Sequence, residues 1–71
     1  MTNNHWHYQL MRYTYASGDT YLAIHEYYPM EDGDGWTETP VDVGGESVEE
    51  VKEVLHMMLE DIEKHGVVDY E

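Results

Sequence analysis

Cysteine is absent from this 71-residue chain, which removes disulfide frameworks, cysteine zinc sites and thiol nucleophiles from consideration. Positive charge is nearly absent too. Three Lys and Arg face sixteen Asp and Glu, a formal net charge of −13. A surface of that sign repels nucleic acid and anionic membranes and steers toward basic surfaces. No apolar run approaches the ~18 residues that a bilayer span requires. The opening MTNNHWHYQL lacks a basic stretch followed by an apolar one, so no secretory leader is expected. Phosphate-cradling glycine loops, G-x-S-x-G and spaced Ser/His/Asp sets are also missing. These absences point to a non-enzymatic cytoplasmic protein with no cofactor, no direct nucleic-acid binding and no membrane.

The acids are unevenly distributed. Residues 1–25 hold Asp19 against Arg12 and are neutral, so residues 26–71 carry the whole excess. Low hydrophobicity with high charge marks disorder in some chains. Here seven tyrosines and two tryptophans supply enough apolar surface for a fold. At this length one domain, residues 1–71, is expected, close to the lower limit for stability from a single core.

Residues 6–15, WHYQLMRYTY, and 20–28, TYLAIHEYY, are rich in aromatic and β-branched types and flank ASGD, where Gly18 suits a tight turn. They read as a β-hairpin ended by Pro29. MEDGDG (30–35) is an acidic turn, and WTETPVDV (36–43) is a third strand, placed at an edge because Pro40 has no N–H to donate. GGES then precedes a helix over 47–65. Ser47 and Glu50 form an S-x-x-E capping box, and Gly66 stands where a left-handed residue ends a helix. Val48, Val51, Leu55, Met58 and Ile62 form the expected buried stripe, with Leu59 beside it. His56 and Met57 fall outside it. VVDY (67–70) either packs over the core or adds a strand. The predicted class is α+β, a three-stranded antiparallel sheet with one C-terminal helix packed on one face.

A single helix covers one sheet face only. With Leu10 opposite Ile24, one face collects Trp6, Tyr8, Leu10, Leu22, Ile24 and Tyr28. The other collects Met11, Tyr13, Tyr15, Tyr21, Ala23 and Tyr27. The turn alone does not set this register. A tyrosine-rich face is left uncovered, and Tyr13, Tyr15, Tyr21 and Tyr27 become an expected partner or homodimer surface.

The stretches WHY, AIHEYY, GWTETPVDVGGESVEEV and VVDY together resemble a family of small bacterial and phage β-β-β-α proteins, over residues 6–70. That resemblance implies a fold and no activity. GES ahead of VEEVKEVL also resembles, more weakly, the β-β-β-α partial domain of HicB-type antitoxins. The chain departs from that pattern by lacking its Leu-Pro-Gly-Cys-like turn and an appended DNA-binding segment. In size and charge it is similar to small acidic phage proteins that inhibit host nucleases or defence complexes.

Three local patterns invite a chemical reading. His5, His7 and His25 fall on one sheet face in the Leu10–Ile24 register, the weak candidates for a zinc site with an open fourth position. Partner-facing histidines among tyrosines are the commoner outcome, so no metal is expected. His25 and Glu26 are neighbours on a strand and point apart, so they form no dyad. A partly buried Glu26 would need Arg12 or a tyrosine hydroxyl as partner. EDGDG (31–35) lacks the spaced ligands of an EF-hand and reads as a turn. The remaining feature is the acid row Glu46, Glu49, Glu50, Glu53, Glu60, Asp61 and Glu63 on a helix with two lysines. Like charges at these spacings destabilise an isolated helix. The expected function is therefore binding of a basic protein surface, its sharpest form a phage or mobile-element inhibitor acting by nucleic-acid mimicry. The alternative is a homodimeric structural or regulatory module joined through the tyrosine face, or a HicB-like antitoxin.

Overall fold

The structure, a computed structural model, describes residues 5–70. The leader-free reading of the first ten residues rests in part on 1–4, which lie outside the described residues. The elements are β1 (His7–Thr14), β2 (Thr20–Tyr28), β3 (Gly35–Trp36), α1 (Val48–His65) and β4 (Val67–Asp69). Among the described residues the α+β class holds, with one helix, but the sheet has four strands in the order β3-β2-β1-β4.

β1 and β2 pair antiparallel with Leu10 opposite Ile24, and every pair from His7–Tyr27 to Thr14–Thr20 follows. Gly18, at φ +94°, makes the turn, a conformation open to glycine at little steric cost. The expected third strand over 36–43 shortens to two residues. Beyond Trp36 the chain stays beside β2 through two separate bonds, Thr37 N–H to the Glu26 carbonyl (3.1 Å) and Val41 N–H to the Ile24 carbonyl (2.9 Å). Pro40 sits between them and cannot donate, so no continuous ladder forms.

The three-stranded antiparallel expectation fails at the other edge. Val67–Asp69 adds to β1 in parallel, with Leu10 opposite Val67 and Arg12 opposite Asp69. The Arg12 guanidinium closes this edge on the Asp69 carboxylate at 2.8 Å. Parallel pairing needs a crossover, and α1 supplies it: 18 residues at ~1.5 Å each span about 27 Å, enough to bring the chain back alongside β1.

Ser47 caps α1 by accepting the Glu50 N–H at 3.2 Å. The return half of the box differs from expectation, because the Glu50 carboxylate accepts from the Glu46 N–H, at 2.8 Å, one residue before the cap. Gly66, at φ +70°, ends the helix and donates to the Ile62 carbonyl. α1 packs against β1. Met58 is buried, with Val51, Val54, Asp61 and Ile62 half-buried, so the packed stripe differs from the expected one. Val48, Leu55 and Leu59 remain outside, at 69%, 50% and 55% exposure.

The core is small and partly polar. Tyr8, Met11 and Met58 are its buried apolar side chains, beside fully buried Gln9 and His25. Gln9 donates from Nε2 to the Gly66 carbonyl at 2.7 Å and accepts at Oε1 from the His7 ring at 3.0 Å. That amide ties the end of the helix to β1, and all its buried polar atoms have partners.

Candidate interaction surface

The tyrosine-bearing face of the sheet is largely filled from within. Tyr70, just past β4, stacks on Tyr13 (4.7 Å between ring centres) and meets Trp36 edge-on at 6.0 Å, while its hydroxyl donates to the Glu38 carbonyl. Trp36 in turn lies parallel to Tyr27 at 5.7 Å. The segments following the two edge strands thus meet across the sheet. Tyr13 and Tyr27 are half-buried as a result, which corrects the expectation of an open four-tyrosine face. Tyr15 and Tyr21, near the hairpin turn, stay exposed.

His25 lies at the centre of this cluster with no solvent exposure. Its Nδ1–H donates to the Thr37 carbonyl at 2.7 Å, which leaves Nε2 to accept the Tyr13 hydroxyl at 2.5 Å. Both ring nitrogens are engaged. The expectation of a surface or partner-facing histidine is therefore wrong for His25, and its nitrogens are not free to bind a metal. His7 does not join it: its ring stacks on His65 at 3.6 Å and bonds to Gln9. Burial and the neighbouring His7 push the His65 imidazole below its ordinary value. Among the described residues no group of His and acid side chains converges in metal-binding geometry.

Glu26 points to the opposite face from His25, directly across from Tyr8, and accepts the Tyr28 hydroxyl. The tyrosine hydroxyl, not Arg12, is its partner. In the 31–35 turn, Asp34 accepts the Tyr27 hydroxyl (2.7 Å) on one oxygen and the Met30 N–H (3.0 Å) on the other. Those bonds hold the Asp34 carboxyl below the usual range. This carboxylate is a structural clip between turn and sheet, consistent with reading EDGDG as a turn.

An open cleft of 720 Å³ lies where the helix end meets the start of β1, with Trp6, His7, Tyr27, Asp34, Asp61 and His65 among its walls. Asp61 accepts the Tyr8 N–H at 2.9 Å. Two further side-chain pairs in its walls, His7 with Gln9 and Tyr27 with Asp34, are hydrogen-bonded to each other.

The helix acids divide into two groups. Glu50 caps the helix start and Asp61 binds the β1 backbone. Glu49, Glu53, Glu60 and Glu63 are exposed, and the one ion pair among the described residues, Arg12–Asp69, involves none of them. At about 100° per residue these four fall within an arc of about 80°. Glu46, with an exposed side chain, stands just before the helix. Beside the acidic row run two shallow grooves. One, of 480 Å³, is lined by Glu49, Glu53 and Glu60 with Lys52, His56 and Met57. The other, of 510 Å³, is lined by Leu55 and Leu59 with Lys52 and His56.

Sequence reasoning placed the acids on the outside but assigned Val48 and Leu55 to the core. The available signal was the width of the apolar arc. Val48, Val51, Val54, Leu55, Met58, Leu59 and Ile62 cover about 140°, more than contact with one strand can bury. A scan against protein-family models and searches of curated proteins and of solved structures each find no match to this chain. Among the described residues no helix is long and apolar enough to cross a membrane.

Proposed function

We propose that this chain is a small acidic, non-enzymatic interaction protein that binds a basic protein surface through α1. The observation that carries this reading is the row Glu49, Glu53, Glu60 and Glu63, exposed and without a cationic partner among the described residues. Self-repulsion along such a row costs helix stability, and a basic partner relieves it. In its sharper form the partner is a nucleic-acid-binding protein and the carboxylates stand in for phosphates. Glu49 and Glu53 are separated by about 6 Å along the axis and Glu60 and Glu63 by about 4.5 Å, so a basic groove meets several charges at once.

The test is affinity capture from a bacterial lysate at low and high salt, with the wild-type chain and with Glu49, Glu53, Glu60 and Glu63 all changed to Gln. A specific basic partner retained by the wild type, released by salt and lost with the quadruple variant supports the proposal. Equal retention by both chains overturns it.

Self-association is a second reading, favoured by exposed Tyr15 and Tyr21. They stand in residues 1–25, where Asp19 and Arg12 cancel and repulsion between copies is weakest.

A further inference from the structure

Val48, Leu55 and Leu59 lie within about 40° of one another around α1, and each is at least half exposed. They form a strip about 16 Å long, three turns of helix, between the packed face and the acidic row. Lys52 lies between strip and row, His56 falls within the row's arc, and both line the two shallow grooves. A leucine or valine outside the core is ordinary when isolated, whereas three in line on one helix form a patch. The small core sharpens the contrast. Three apolar side chains are buried among the described residues, and eleven large ones are exposed.

We infer that this strip and the flanking glutamates together form one docking site for a basic amphipathic helix of a partner protein, an inference that rests on the function proposed above. Carboxylates alone suit any cation. An apolar strip beside them selects a partner carrying leucine-like side chains on one face and lysine or arginine along the adjoining flank. Helix-on-helix contact at ~8–10 Å lets the apolar faces meet while the long basic side chains reach past Lys52 to Glu49, Glu53 and Glu60. The opposite flank abuts β1, so the basic residues are required on one side only. A second copy of this chain is a poor occupant. It brings its own charge of −13 and lays an acidic row against the same strip, a like-charge juxtaposition that opposes association.

Fluorescence anisotropy provides the test, with three synthetic probes: a labelled amphipathic leucine–lysine helical peptide of about five turns, the same residues scrambled, and oligolysine. The amphipathic peptide is expected to bind most tightly. Changing Leu55 and Leu59 together to Ser should weaken it about tenfold, while leaving the weaker oligolysine binding as it was. Because both leucines are half exposed, circular dichroism should report an intact fold. Val48→Ser, at the most exposed position of the three, provides a milder independent check in the same direction. Equal binding of scrambled and amphipathic peptides, or indifference to both leucine and valine changes, overturns the docking site while leaving the acidic reading intact. Failure of every cationic probe overturns both. A dimer in light scattering that the leucine changes dissolve would make the occupant a second copy and overturn the partner assigned here.

Discussion

The Tyr13 hydroxyl and the His25 ring meet at 2.5 Å across β1 and β2, and with the Thr37 carbonyl at 2.7 Å they fix one tautomer of a histidine that has no contact with solvent. Tyr13→Phe leaves Nε2 without its donor inside the aromatic cluster. The expected cost is about 1–3 kcal/mol, that of a buried acceptor left unmet. Urea unfolding measures it directly, and a change below a few tenths of a kcal/mol would show that the bond contributes little. His25→Ala removes the ring as well and should cost more than Tyr13→Phe.

Tyr27 should be the last tyrosine to ionise. Burial first, then its bond to the Asp34 carboxylate, pushes its hydroxyl up to about 12. The folded value lies above the unfolded value of ~10. Stability from this group is therefore complete below about pH 10 and is lost as pH rises toward 12. Ultraviolet titration of the phenolates should show a late step that Tyr27→Phe removes. Asp34→Asn should move that step down but not to the ordinary value, because burial is the larger cause.

The stacked His7–His65 pair predicts acid sensitivity. The folded His65 value lies below its unfolded one, through burial first and then His7, with Lys64 adding to the effect and Asp61 opposing it. Stability from His65 is present above about pH 6.5, its unfolded value, and declines as pH falls through the window below. In a proton-resolved NMR titration, His7→Phe should raise the His65 midpoint by removing the neighbouring charge. An unchanged midpoint would mean that burial alone sets it.

Both ends of α1 should respond to single substitutions. Ser47→Ala loses the acceptor for the Glu50 N–H, at a cost of about 1 kcal/mol. At Gly66 a methyl group would meet nothing within 4 Å, so any penalty for Gly66→Ala is purely that of the backbone at φ +70° and ψ −144°, about 1–3 kcal/mol. Gly66→Asn should cost about as much, since asparagine's tolerance of positive φ is for the left-handed helical region and ψ here is −144°. Full rescue by Asn where Ala fails would refute this account of the cap.

Periodicity and local chemistry in the sequence determined the hairpin, the 20–28 strand, the helix from its Ser47 cap to Gly66, and the opposite orientations of His25 and Glu26. Each depends on residues within a few positions of one another. The Leu10–Ile24 register was one of the options that the faces allowed, and the tertiary structure selected it. Contacts distant in sequence decided the rest. A parallel β4 arises only once the helix has carried the chain back to β1. The tyrosine face fills because Trp36 and Tyr70, far apart in sequence, come from opposite edges and touch. His25, one imidazole among several in the sequence, becomes a fully buried structural residue in that cluster. The helix sequence marks a broad apolar arc, but docking on β1 alone determines which part is covered. Val51 and Met58 turn inward, and Val48, Leu55 and Leu59 remain in water. Helical spacing specifies which residues share a side, whereas burial depends on what packs against that side.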